Sequence, residues 1–375
     1  MQIILCKYPL PVCVLAIVFF AITKASGAEQ AGRQQAWERI APFFKPPAQY
    51  TNDFGKFRPP LIFYDGRPVS SPSQWQERRD EILKTWHELM GAWPPVIDNP
   101  KLEVVESKAR ENFTQKKISI EVVPGKSQEG YLLVPPGKGP FPCVMIVSDL
   151  SPLIGIGLSD DPLYKLYDFG LQLVRRGFVT LVIGGPRHYV PGIQPLSSMA
   201  YVAANCCNAL ANLPEVDPKR IGIFGHSYGD KWALLASCLY ERFACAAWSD
   251  GGIVFDEKRG NINYWERWYL GFDPATNRTP GMVTAENPRT GAYKRLIEAG
   301  HDLHELHALM APRPFLVSGG SEDQAWRWPA LNHAIAVNRL LGFDNRVAMT
   351  NRDKHPPTEE SNEQLCLFLE YFLKY

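Results

Sequence analysis

From about residue 102 the chain alternates two hydrophobic patterns. Short, nearly unbroken apolar runs at 143–147, 178–183, 220–224, 244–248, 314–318 and 346–350 read as buried strands. Between them, apolar residues recur at helical spacing over 163–176, 196–213, the stretch after Ser227, 303–310, 328–341 and 359–373. Residues 117–123 and 130–134 read as a leading hairpin. Strand–helix repetition of this kind predicts an α/β protein, with a mostly parallel sheet covered by helices on both faces.

Two stretches break the pattern. Residues 29–102 are rich in proline and aromatics and carry one amphipathic helix, on which Trp75, Ile82, Trp86 and Leu89 share a face. They are expected to form an N-terminal arm packed on a main domain at 103–375. Residues 250–300 read as a long polar and aromatic insertion. The start of the chain has Lys7, an apolar run over 10–22 and a small-residue site at Ser26-Gly27-Ala28. That is the form of an export signal over 1–28, giving a secreted or periplasmic mature chain with no membrane span.

Charge and cysteine usage narrow the function. Lys+Arg is 40 against Asp+Glu at 39, a formal net charge of +1, and no basic run is present. No electrostatic footprint for nucleic acid exists. Six cysteines remain after the signal, and their spacing matches no zinc pattern. Several fall in apolar runs, where cysteine is commonly a small buried hydrophobe. His301, His304 and His307 share a helical stretch, but the spacing spreads three rings over a wide arc. They read as capping or surface histidines, and no metal or cofactor is called for.

The chemistry concentrates at Gly225-His226-Ser227-Tyr228-Gly229, which fits G-x-S-x-G between a buried strand and a helix. At so sharp a turn, side chains two residues to either side of the serine would collide, so glycine stands at both places. A serine hydroxyl needs a base, usually histidine, oriented by a carboxylate. His355, in the loop after the last strand, is the expected base; His333 lies inside a helix and is expected to pack. The acid is expected after the penultimate strand, where the G-x-x-D spacing of Gly320 to Asp323 favours Asp323, with Glu322 and Asp250 as alternatives. The expected oxyanion donors are the main-chain N–H groups of Tyr228 and Leu150.

With Ser227, Asp323 and His355 in that order, residues 103–375 resemble the α/β-hydrolase superfamily. "ALMAPRPFLVSGGSEDQAW" and "LLGFDNRV" resemble secreted dienelactone-hydrolase-like and acetyl-xylan-esterase-like proteins, and the chain is also similar to bacterial glucuronoyl esterases. Glucuronoyl esterases carry cysteine before the serine and arginine after it, where this chain has His226 and Tyr228. Asp230 stands where glycine often continues the elbow. The resemblance implies ester hydrolysis through an acyl-enzyme, with a polysaccharide or small ester as substrate. Trp265, Trp268 and Trp326, with Arg187 and His188 at the same rim, are the candidate substrate contacts. Two other readings compete: a peptidase or lactone hydrolase of the same fold, and an inactive glycan-binding module.

Overall fold

The computed structural model describes residues 27–375. The apolar run of the expected export signal, with Cys6 and Cys13, lies outside the described residues. Among the described residues no helix is long and apolar enough to cross a membrane.

A nine-stranded sheet forms the centre. Its strands are β1 (Leu102–Arg110), β2 (Phe113–Val123), β3 (Lys126–Val134), β4 (Phe141–Val147), β5 (Val179–Ile183), β6 (Val216–His226), β7 (Cys245–Ser249), β8 (Phe315–Gly319) and β9 (Val347–Asn351). Their spatial order is β1-β2-β3-β5-β4-β6-β7-β8-β9. The first three are antiparallel; from β5 to the far edge at β9 every pairing is parallel. β4, β5, β7 and β8 are buried along all or nearly all of their length. This explains why they read as continuous apolar runs rather than alternating ones. It is the α/β-hydrolase fold.

Helices cover both faces: α1 (Gly27–Ile40), α2 (Pro72–Met90), α3 (Pro152–Gly155), α4 (Phe169–Arg175), α5 (Pro195–Ala211), α6 (Tyr228–Leu239), α7 (Gly291–Glu298), α8 (His304–Leu309), α9 (Trp328–Leu340) and α10 (Glu359–Lys374). One core lies under α2, α5, α6, α8 and α9; the other lies under α4 and α10. Within 29–102, Trp75, Ile82 and Trp86 of α2 are buried in the first core. The Trp86 indole N–H donates to Glu305 Oε2 at 3.0 Å. The six cysteines of the described residues are unpaired and buried.

The structure adds one strand that the sequence reading did not name and corrects two expectations. β1 lacks an apolar run because it is an exposed edge strand, with Val104 and Val105 among its exposed residues. Its order comes from main-chain pairing with β2. The helix expected over 163–176 forms only from Phe169, because Pro162 and the Asp161 carboxylate, which accepts from the Leu163 N–H at 2.9 Å, fold a separate short turn at Pro162–Tyr164. And the insertion is not merely a polar wall: Ile253, Ile262, Tyr264, Trp265 and Leu270 join the first core.

Candidate active site

Parallel strands end together, so the loops after β4, β6, β7, β8 and β9 meet at one rim, where an open α/β sheet presents its ligands. The elbow sits at the end of β6. Ser227 has φ 58° and ψ −113°, a strained conformation for a non-glycine residue. The flanking glycines are sterically required. A Cβ on Gly225 would lie 1.9 Å from the Gly229 carbonyl oxygen, and one on Gly229 would lie 2.1 Å from the Val147 oxygen. Tyr228 is the first residue of α6, so its main-chain N–H has no partner within the helix.

The other two groups arrive from β7 and β9. His355 Nε2 is 2.8 Å from Ser227 Oγ, and His355 Nδ1 is 2.7 Å from Asp250 Oδ2. Asp250 is fully buried at φ 60°. Its Oδ1 accepts main-chain N–H bonds from Gly320 (2.6 Å), Glu322 (2.9 Å) and Asp323 (3.0 Å). The loop after β8 therefore grips one oxygen and leaves the other for the imidazole. Gly320 allows this grip, since a Cβ there would stand 2.5 Å from Asp250 Oδ2.

Asp323, the favoured acid from the sequence, is not on the histidine. It is fully buried and turned back into the insertion, accepting the N–H groups of Gly252 (2.8 Å) and Ile253 (2.9 Å). Burial, reinforced by the Asp250 charge, pushes its carboxyl up to about 6. Glu322 is engaged too, by Asn261 Nδ2 at 3.0 Å and by Arg259 at 3.2 Å. Both carboxylates brace the insertion against the loop after β8. Leu150 is also displaced as a donor, because its N–H is spent on Ser148 Oγ at 3.0 Å.

Sequence reasoning missed Arg352 and Lys231 here and gave His226 and Asp230 no role. Arg352 donates to the main-chain oxygens of His355 (2.6 Å), Pro356 (2.9 Å) and Ser318 (2.8 Å), and to Ser249 Oγ (3.3 Å). His226 is buried, 4.9 Å from the His355 ring centroid, with Nδ1 3.0 Å from Ser249 Oγ. Burial pulls its ring well below the usual histidine range, and the neighbouring His355 and Arg352 charges add to this. Asp230 and Lys231 are buried behind the elbow. Burial raises the first well above the usual carboxylate range and lowers the second to about 8. An arginine after a strand is an ordinary surface feature in sequence, so only coordinates reveal the Arg352 clamp.

A cavity of about 150 Å³ opens beside Ser227 and His355. It is bounded by the loop after β4 and the Pro162–Tyr164 turn; none of the five candidate substrate contacts lines it. Trp265 is core: it is 1% exposed and its indole donates to the Gly281 oxygen at 2.8 Å. Arg187 and His188 are tied to the β3 side, through Arg187 N–H to Gln128 Oε1 and His188 Nε2 to the Ser127 oxygen. Trp268 and Trp326 are exposed. Trp328 is buried. His301, which precedes α8, and His304 and His307 on it are buried rather than on the surface and do not converge. His301 Nδ1 meets Glu305, His304 Nε2 meets the Arg58 oxygen, and His307 packs on Trp248. Among the described residues no cluster of three acidic, histidine or cysteine side chains could hold a metal ion.

The chain resembles esterases. Residues 99–256, which include Ser227 and Asp250, match the family model described as esterase FrsA-like. A 4-O-methyl-glucuronoyl methylesterase from Thermothelomyces thermophilus is 22% identical over 359 residues, covering 86% of this chain and 82% of that protein. The solved glucuronoyl esterase from Solibacter usitatus superposes with a TM-score of 0.67 at 19% identity, covering 87% of this chain and 98% of that one. The glucuronoyl esterase from Teredinibacter turnerae gives 0.64 at 16%, covering 91% and 98%. In fold the chain is an α/β-hydrolase, and the proteins it resembles are esterases, several of them glucuronoyl esterases.

Proposed function

We infer that the chain is a serine carboxylic-ester hydrolase acting on esters of carbohydrates, with Ser227 as nucleophile, His355 as base and Asp250 as the orienting acid. The observation that carries this is the unbroken hydrogen-bond chain from Ser227 Oγ through both imidazole nitrogens to Asp250. In this reading Ser227 Oγ attacks the ester carbonyl carbon and its proton passes to His355 Nε2. The carbonyl oxygen becomes an oxyanion, held by the Tyr228 N–H and by the loop after β4. Collapse breaks the bond to the alcohol, which leaves with the proton from His355. Water, deprotonated by the same nitrogen, then releases the acid and restores Ser227. Acetyl and glucuronoyl esters of polysaccharides are the substrates that the likenesses favour, and a secreted or periplasmic location suits them.

A small fluorophosphonate tests the reading. Labelling of the wild-type chain that is lost in Ser227→Ala supports it. A wild-type chain that takes no label would overturn it in favour of a glycan-binding module. Turnover unaffected by a chelator is expected as well.

A further inference from the structure

The cavity beside Ser227 has a closed floor, and its walls specify what it holds. Ile146 on β4, Val182 on β5, Phe224 on β6 and Phe169 on α4 line it, and each is 6% exposed or less. Tyr164 and Tyr167 form a further wall, their rings 5.6 Å apart at 80°, and Tyr167 in turn meets Phe169 edge-on at 6.2 Å. No lysine or arginine lines the cavity. Asp149 is among the lining residues, and burial raises its carboxyl above its ordinary value. At about 150 Å³ the space matches an apolar cavity able to take benzene.

We propose that this cavity is the acyl compartment of the enzyme and that it selects a benzoyl-sized aromatic acyl group. This rests on the serine-esterase reading and departs from the acetyl and glucuronoyl groups that the likenesses favour, because the walls of this cavity favour an aromatic ring. The assignment to the acyl side follows from order of departure. The alcohol must leave while the acyl group is still bonded to Ser227, and a group seated on a closed floor behind the serine would have no way out past it. The loop after β4, which must face the carbonyl oxygen, forms the cavity's mouth through Ser148, Asp149 and Leu150. The ring preference follows from the walls, because aromatic edges and faces at these separations add to simple area burial when a further ring enters. A sugar acid would press several hydroxyls onto the floor of Ile146, Val182, Phe224 and Phe169, and only those turned toward Ser148, Ser151, His226 or the two tyrosines would find a partner. A free carboxylate would meet Asp149 and no cation.

The test keeps the leaving group constant. kcat/KM is measured for the 4-nitrophenyl esters of acetate, benzoate and 2-naphthoate, and separately for methyl benzoate against a methyl glucuronate ester, both followed by acid release. Benzoate is expected to exceed naphthoate by about tenfold or more, since overfilling a packed cavity costs on the order of one tenfold step or more, and methyl benzoate is expected to exceed the glucuronate ester. In Ile154→Phe, which narrows the cavity, the benzoate-to-acetate ratio is expected to fall about tenfold. In Tyr164→Ala, which widens it, the naphthoate-to-benzoate ratio is expected to rise; this variant decides the matter should the first fail to fold. Naphthoate or glucuronate handled as well as benzoate, or ratios unmoved in both variants, would overturn the proposal while fluorophosphonate labelling upholds the serine hydrolase. No labelling of Ser227 would instead remove the esterase reading itself, and this compartment with it.

Discussion

Asp250 and Asp323 lie in contact through a main-chain bond, the Asp323 N–H donating to Asp250 Oδ1 at 3.0 Å, yet only Asp250 reaches His355. Both are fully buried. The difference is in what each carboxylate faces: an imidazole for Asp250, two amides of the insertion for Asp323. Asp250→Asn is therefore expected to lower kcat by about a thousandfold to ten-thousandfold, by favouring the wrong imidazole tautomer. Asp323→Asn is expected to keep activity within about tenfold of wild type. It should instead lower stability by ~1–3 kcal/mol, because one of the two N–H groups loses its acceptor. Ester kinetics beside urea unfolding separate the two outcomes; a larger kinetic loss in the Asp323 variant would reverse the assignment.

Arg352 holds the loop that carries the base. Its guanidinium bonds the main chain on both sides of the reach that His355 must span, and ties it to the ends of β7 and β8. Arg352→Lys removes the fork while keeping the charge. A misplacement of about 1 Å is enough to cost about a hundredfold in rate, so kcat is expected to fall by about that factor with little change in KM. Arg352→Ala should fall further and also shift the pH–rate profile, since a cation beside the Asp250–His355 pair is lost. An unchanged profile with intact kcat would leave Arg352 as a loop staple only.

Much of this arrangement was legible in the sequence, for reasons that differ residue by residue. Ser227 and His355 could be read because strand ends fix which loops share a rim, and because Gly225 and Gly229 answer a steric demand that no other residue meets. Asp250 stayed one of three because chain order does not say which way a carboxylate turns. That choice depends on the amides of residues 320–323, which grip one oxygen of Asp250 and free the other. Trp265 misled because burial and exposure look alike on one aromatic-rich stretch. Arg352 left no signal, as its partners are main-chain oxygens of its own loop and of β8, with the Ser249 hydroxyl at the end of β7.

The two tryptophans of the insertion should now behave oppositely. Trp265 is 1% exposed and hydrogen-bonded, so Trp265→Ala is expected to cost ~3–5 kcal/mol of stability. Trp268 is 38% exposed, and Trp268→Ala should unfold with the wild type, within ~0.5 kcal/mol. If Trp268 stacks on a polysaccharide chain outside the cavity, its loss raises KM on polymer while leaving small esters alone. Parallel assays on the two substrate types, with thermal melts, check all three statements.

Acid should destabilise the fold through its buried histidines. His304 is fully buried, donates through Nε2 to the Arg58 oxygen at 2.6 Å, and is lowered to about 4, mainly by burial and secondarily by His333, against the opposing pull of Glu305. His226 and His307 are lowered well below the ordinary histidine range, and His333 is lowered too. For each, the unfolded chain takes up a proton near pH 6.5 while the folded one resists. Between that pH and the folded value the unfolded state binds more protons, so stability rises with pH and is lost on acidification. Each unit of separation is worth ~1.4 kcal/mol once fully expressed. These histidines pull the unfolding free energy down from pH 7 toward pH 4, while the carboxyls of Asp230, Asp302 and Asp323, raised by burial, push it up over the same range, so the histidine share is read from a variant. His304→Gln, whose amide can still donate to the Arg58 oxygen, should remove its part of that downward pull. Urea midpoints at pH 7.5, 6 and 5 for both chains test it, and equal slopes would show that His304 does not contribute to the acid sensitivity.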